Sequence, residues 1–110
     1  MADEADLQRV VGSVGPASVC FQVSDDFRSY KSGVYVSERC SRRTADVNHA
    51  VVVVGYDHDD ETGLDFWIVR NSWGPEWGDG GYFRILRGQN ECGIADCASY
   101  PVVIKAVPSL

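Results

Sequence analysis

The chain has little of what a nucleic-acid partner or a membrane would require. Its 10 lysines and arginines are outnumbered by 16 aspartates and glutamates, for a net charge of -6. That balance weighs against a polyanionic ligand and against attraction to an anionic bilayer. No apolar run approaches the roughly 20 residues of a membrane-spanning helix. The opening MADEADLQRV lacks the basic and then apolar regions of a secretory signal. Internal repeats, linker-like tracts and low-complexity stretches are also missing. What is present is material for one compact domain, with 45% of the 110 residues hydrophobic and 11% aromatic. The four cysteines, Cys20, Cys40, Cys92 and Cys97, allow three full pairings, and their number does not choose among them. A disulfide would place maturation in an oxidising compartment. Set beside the leaderless acidic start, it creates the expectation of a processed or truncated chain.

Along the chain, Asp3 to Val11 carries apolar residues at Ala5, Leu7, Val10 and Val11 behind a run of acids. This predicts a short amphipathic helix with its acids near the positive end of the dipole, broken by Gly12 to Pro16. Ala17 to Val23 reads as a strand, Phe27 to Tyr30 as one helical turn, and Gly33 to Val36 as extended. His49 to Tyr56 (HAVVVVGY) is a continuous run of β-branched residues, the pattern of a strand buried on both faces. Asp57 to Leu64 reads as a polar loop, with further strands at Asp65 to Arg70 and Tyr82 to Leu86. The expectation is a mainly β, α+β domain: a small antiparallel, barrel-like sheet led by one short helix.

Residues 70 to 81, RNSWGPEWGDGG, pack one asparagine, two tryptophans and four glycines into a stretch unsuited to helix or strand. Glycines this dense mark a loop whose backbone path matters, and they single out Asn71. If DHDDETGL is a hairpin loop, the start of the His49 strand lies beside the end of the Arg70 strand, so the side chains of His49 and Asn71 can meet. An amide oxygen accepting the imidazole N–H would set the tautomer and leave the other nitrogen for proton transfer. On the residues alone, a structural hydrogen bond explains the pair as well as catalysis does.

The segments VGPASV (14 to 19), VNHAVVVVGYD (47 to 57), WIVRNSWGPEWGDGGYFRI (67 to 85), ECGIA (91 to 95) and SYPVV (99 to 103) occur in the order and spacing found in one family. Together they resemble the C-terminal, right-hand half of papain-like cysteine proteases of the cathepsin type, over nearly the whole chain. The resemblance implies that residues 1–110 form one half-domain of that fold. It implies peptide hydrolysis by a Cys-His-Asn triad in which His49 is the catalytic histidine and Asn71 orients it. Trp73 matches the tryptophan covering that hydrogen bond, and Trp77 an aromatic wall on the leaving-group side; Trp67 is left as core. In such a site the histidine stabilises a thiolate, which attacks the peptide carbonyl, and then protonates the departing amine. The family's nucleophile lies in the other half, within a pattern like Cys-Gly-Ser-Cys-Trp that this chain lacks. ECGIADC matches the family near its C-terminus, which makes Cys92 a poor nucleophile. This chain by itself is expected to be inactive.

The resemblance also assigns Cys40 and Cys92 to a disulfide. It places Cys20, Ala50 and Cys97 in the S2 pocket, an apolar wall for the substrate's second residue before the scissile bond. Small-residue filler explains Cys20 and Cys97 equally well, and a disulfide between them stays open. No cofactor is implied. Zinc on Cys40, His49, Cys92 and Cys97 lacks a tight ligand spacing, and His58 among Asp57, Asp59, Asp60 and Glu61 reads as a solvated loop. Asn48, where some relatives carry an acid, and the tail Ile104 to Leu110 depart from the family. The partners implied are a left-hand protease domain or chain bearing the nucleophilic cysteine, and protein or peptide substrates; neither nucleic acid nor membrane is among them. The localisation implied is lysosomal or extracellular. The rival reading is a truncated, non-catalytic half-domain that binds peptides or protease inhibitors.

Overall fold

A computed structural model describes residues 4–37, 40–41, 43 and 46–99. Asp3, the tail from Ile104 and most of SYPVV lie outside these. Helix α1 (Glu4–Ser13) leads, followed by β1 (Ala17–Phe21), a single helical turn α2 (Asp25–Arg28), β2 (Val34–Tyr35), β3 (His49–Asp59), β4 (Leu64–Arg70), β5 (Tyr82–Leu86) and a 3₁₀ turn at Glu91–Gly93. The strands form one sheet in the order β1-β3-β4-β5-β2. The expected mainly β domain with a leading helix is therefore observed. Among the described residues no helix is long and apolar enough to cross a membrane.

Several local expectations are corrected. The sheet is mixed, because β2 pairs with β5 in parallel; a two-residue strand has no pattern from which its direction can be read. Helix α1 runs through Gly12 to Ser13, and its end is closed by the Val14 and Gly15 amides donating to Val10 O. A Cβ at Gly12 would sit 2.8 Å from the hydroxyl at the end of the Tyr56 side chain on β3. Half of the polar stretch Asp57 to Leu64 is strand, since the β3 and β4 ladder continues to Asp59↔Leu64 and only residues 60–63 form the turn. Polar residues are tolerated in that ladder because its tip stands in solvent. Strand β3 is buried on one face only: Val51 and Val53 are in the core, while Ala50 and Val54 are exposed. A continuous apolar run carries no periodicity that separates one buried face from two. A register shift between Val53 and Gly55 interrupts the pairing of β3 with β4.

The core collects on the inner face of the sheet. Phe21, Phe27, Phe83 and Trp67 are fully buried, and edge-to-face contacts link Phe27 to Phe21, Phe83 and Tyr35 with centroids 4.7–5.2 Å apart. Trp67, assigned to the core from the sequence, donates its indole N–H to Glu4 Oε2 at 2.8 Å. The same carboxylate accepts the backbone amides of Gly88 and Asn90. Glu4 thus ties the start of α1 to the turn after β5, a long-range function for an acid that the sequence assigned to the helix dipole. Cys40 and Cys92 form a disulfide, which pins the segment before β3 to the 3₁₀ turn. Nearby, the buried Glu91 carboxylate accepts the Ser37 amide at 2.7 Å.

Candidate active site

His49 opens β3 and Asn71 follows the last residue of β4, so the antiparallel pairing of these strands brings them to the same end of the sheet. Imidazole Nε2 lies 2.8 Å from Asn71 Oδ1. The Ser72 backbone amide donates to the same oxygen at 2.7 Å. A backbone N–H can only donate, so its presence identifies that atom as the amide oxygen, and the imidazole must then carry its proton on Nε2. Nδ1 is left as the nitrogen able to take or give a proton. Ser72 is a contributor that the sequence reading missed, because a backbone donor carries no residue signature.

The pair is sheltered. Asn71 is 6% exposed, and the Trp73 ring lies over His49 with centroids 5.1 Å apart and planes inclined by 32°. Excluding water in this way strengthens the polar contact beneath. Among the described residues buried Asn71 Nδ2 has no hydrogen-bond partner, and the side-chain amide is held through its oxygen. Trp73 rests edge-on against Trp77 at 5.1 Å and Phe27 at 5.5 Å. Trp77 in turn packs on Phe27 and Tyr30. The loop carrying both rings is closed by Asn71 N–H to Gly81 O and Gly81 N–H to Trp77 O, at 3.0 and 2.8 Å. At Gly78 a Cβ would meet Tyr82 O at 2.8 Å with φ at +61°, a backbone state that favours glycine. The density of glycines in RNSWGPEWGDGG has this steric origin.

Of the residues expected to line S2, Cys20 and Ala50 fall on the other side of the strand pair. Cys20 is the cross-strand partner of Ala50, and Phe21 of His49. Side chains alternate along a strand, so Cys20 and Ala50 face away from Phe21 and the imidazole. Ser18 and Ser99 exchange both backbone hydrogen bonds, which brings the stretch containing Cys97 alongside β1. Cys20 and Cys97 are both free thiols, so the disulfide left open between them is not formed. The sulfurs of Cys40 and Cys92 are bonded to each other and cannot serve as thiolate ligands for zinc. His58 Nδ1 pairs with Asp65 Oδ1 at 2.7 Å, and this hydrogen bond raises the pKa of the imidazole above its ordinary value. Chemically, the assembled group can hold and move a proton at His49. The thiol of Cys20, projecting from the opposite face, is not placed to receive it.

Comparison with known proteins places the chain as a whole in one family. The family model described as papain family cysteine protease matches residues 1–102. The oryzain gamma chain of Oryza sativa subsp. japonica is 55% identical over 100 residues, covering 91% of this chain and 27% of the relative. Pro-cathepsin H of Mus musculus is 52% identical, covering 91% and 29%. A solved structure, digestive procathepsin L 3 of Tenebrio molitor larval midgut, superposes with a TM-score of 0.86 at 43% identity, covering 93% of this chain and 33% of that one. The chain therefore spans less than a third of the length of these curated relatives. With the family model matching nearly its whole length, this chain belongs to the papain family of cysteine proteases.

Proposed function

We propose that this chain is the acid/base half of a papain-like cysteine peptidase, residues 1–110 acting with a left-hand domain or chain that carries the nucleophilic cysteine. His49 serves as the base and then the acid, and Asn71 fixes its tautomer. The observation that carries this reading is the Nε2 to Oδ1 hydrogen bond with the Ser72 amide on the same oxygen, because it leaves Nδ1 for the thiol and then for the departing amine. Trp73 shields the hydrogen bond, and Trp77 backs Trp73 on the leaving-group side. Proteins or extended peptides are the substrates, with Cys20, Ala50 and Cys97 forming an apolar S2 wall. Lysosomal, vacuolar or extracellular action suits the disulfide and the pro-cathepsin relatives.

The test is intact-mass analysis of native material after treatment with a thiol-directed epoxide, followed by denaturing separation. The expected result is one adduct on a cysteine outside these 110 residues, with Cys20 and Cys97 unmodified, and slower labelling in Asn71→Ala. Absence of any adduct would sink the peptidase reading and leave a half-domain that binds peptides or inhibitors.

A further inference from the structure

Beside the imidazole is a pocket with a charge that proton transfer does not use. It encloses about 150 Å³ between Val23, Arg28, Asn48, His49 and Trp73. Arg28 is the last residue of α2, and its guanidinium carbon stands 5.4 Å from the centroid of the Trp73 ring, within cation–π range. Its carbonyl accepts the Trp77 indole N–H at 3.1 Å, which holds the backbone of Arg28 against the tryptophan loop. Among the described residues no acidic side chain pairs with this charge. Asn48 is uncharged, and its Oδ1 accepts the Val23 amide at 2.8 Å. Asp26 on the same helical turn faces the hydroxyls of Ser24 and Tyr35. Among the described residues Arg28 forms no ion pair. A guanidinium stacked on an aromatic ring keeps its forked donors pointing outward, the arrangement suited to a planar carboxylate.

The imidazole separates this pocket from the surface of Cys20 and Ala50, which lies on the opposite face of the β1 and β3 pair. With the acyl part of a substrate over Cys20 and Ala50, the part beyond the scissile bond lies toward Arg28, since Nδ1 must reach the departing amine between them. We propose that Arg28 is a specificity-determining residue that receives a carboxylate on the leaving-group side of the substrate. The carboxylate is either an acidic side chain just past the scissile bond or a free C-terminus. This inference rests on the peptidase reading above.

The test uses the whole enzyme, this chain together with its nucleophile-bearing half, and matched quenched peptides. One set carries Glu or Gln just past the scissile bond with an amidated end, and the other differs only in a free or amidated C-terminus. The carboxylate member of a pair is expected to be preferred about threefold in kcat/KM, the scale of an exposed ion pair, with the ratio shrinking as salt is added. Arg28→Gln brings the ratio to one, and Arg28→Glu inverts it. Which set shows the preference identifies the side-chain or the terminal carboxylate as the ligand. A ratio of one in the unmodified enzyme, or a ratio that survives Arg28→Gln, overturns the role of Arg28 alone, because both peptides are still cut. A folded enzyme that cuts none of them overturns the peptidase reading, and this inference with it.

Discussion

Replacing Cys40 and Cys92 together by alanine tests how this small domain is held. The bridge joins positions 52 residues apart in sequence, and the chain-entropy relation for a loop of that length gives roughly 4 kcal/mol at 25 °C. Alanine is preferred to serine because Cys92 is fully buried, where a hydroxyl would need a partner. Hydrogen bonds from described residues also hold the segment before β3. The Ser41 amide donates to Gln22 Oε1, the Asn48 amide to Phe21 O at 3.1 Å, and the Ser37 amide to Glu91. Urea unfolding followed by tryptophan fluorescence reads the effect. With an m-value of about 1.5 kcal/mol/M, the midpoint is expected to fall by roughly 2–3 M. Domains of this size have only about 5–15 kcal/mol in total, so the variant is expected to be marginal at room temperature. A loss below about 1 kcal/mol at unchanged m would refute the reasoning, since it would mean that the loop is already constrained in the unfolded chain.

Four further outcomes are expected. In the assembled enzyme Asn71→Ala lowers kcat/KM roughly 10- to 100-fold, the cost of a misoriented catalytic group, read by steady-state kinetics with the fold checked by circular dichroism. Glu4→Gln turns a donor toward one of the three N–H groups that now share the carboxylate; a loss of about 1–3 kcal/mol follows, together with faster amide exchange at Gly88 and Asn90. His58 titrates by NMR above its ordinary value because of its hydrogen bond to Asp65, whose own pKa is lowered by the same bond. The pair therefore supports the hairpin most between the two values. Its contribution is lost as pH rises through that of His58 or falls through that of Asp65, and Asp65→Asn lowers the pKa of His58. Burial raises the pKa of Tyr30 and of Tyr35. Their contribution to stability is present below about pH 10, the unfolded value, and is lost as pH rises through the higher folded values. In an alkaline absorbance titration these two phenols ionise late; normal titration of both would count against their buried placement.

Much of the site was legible in the residues because its chemistry is tied to residue type. Few side chains besides histidine exchange protons near neutral pH, and an amide oxygen is a natural partner for its N–H. The hairpin that brings His49 and Asn71 together follows from two apolar runs around a polar turn. The glycines of RNSWGPEWGDGG announced a constrained loop, and Gly78 against Tyr82 O shows the constraint. Where the sequence misled, a periodicity was missing or local: a run of valines does not say how many of its faces are covered, and a strand of two residues does not declare its direction.

The sequence by itself determined the order of the elements, the family resemblance, and the identity of the histidine and asparagine, since these depend on residue type and spacing along one chain. Only the tertiary structure decided which nitrogen of His49 carries the proton, that Cys40 bonds Cys92 while Cys20 and Cys97 stay free, that Glu4 reaches the turn after β5, and that Arg28 stands over Trp73. Each of these depends on distances between residues remote in sequence, and such distances are set by how the strands pair and the rings pack.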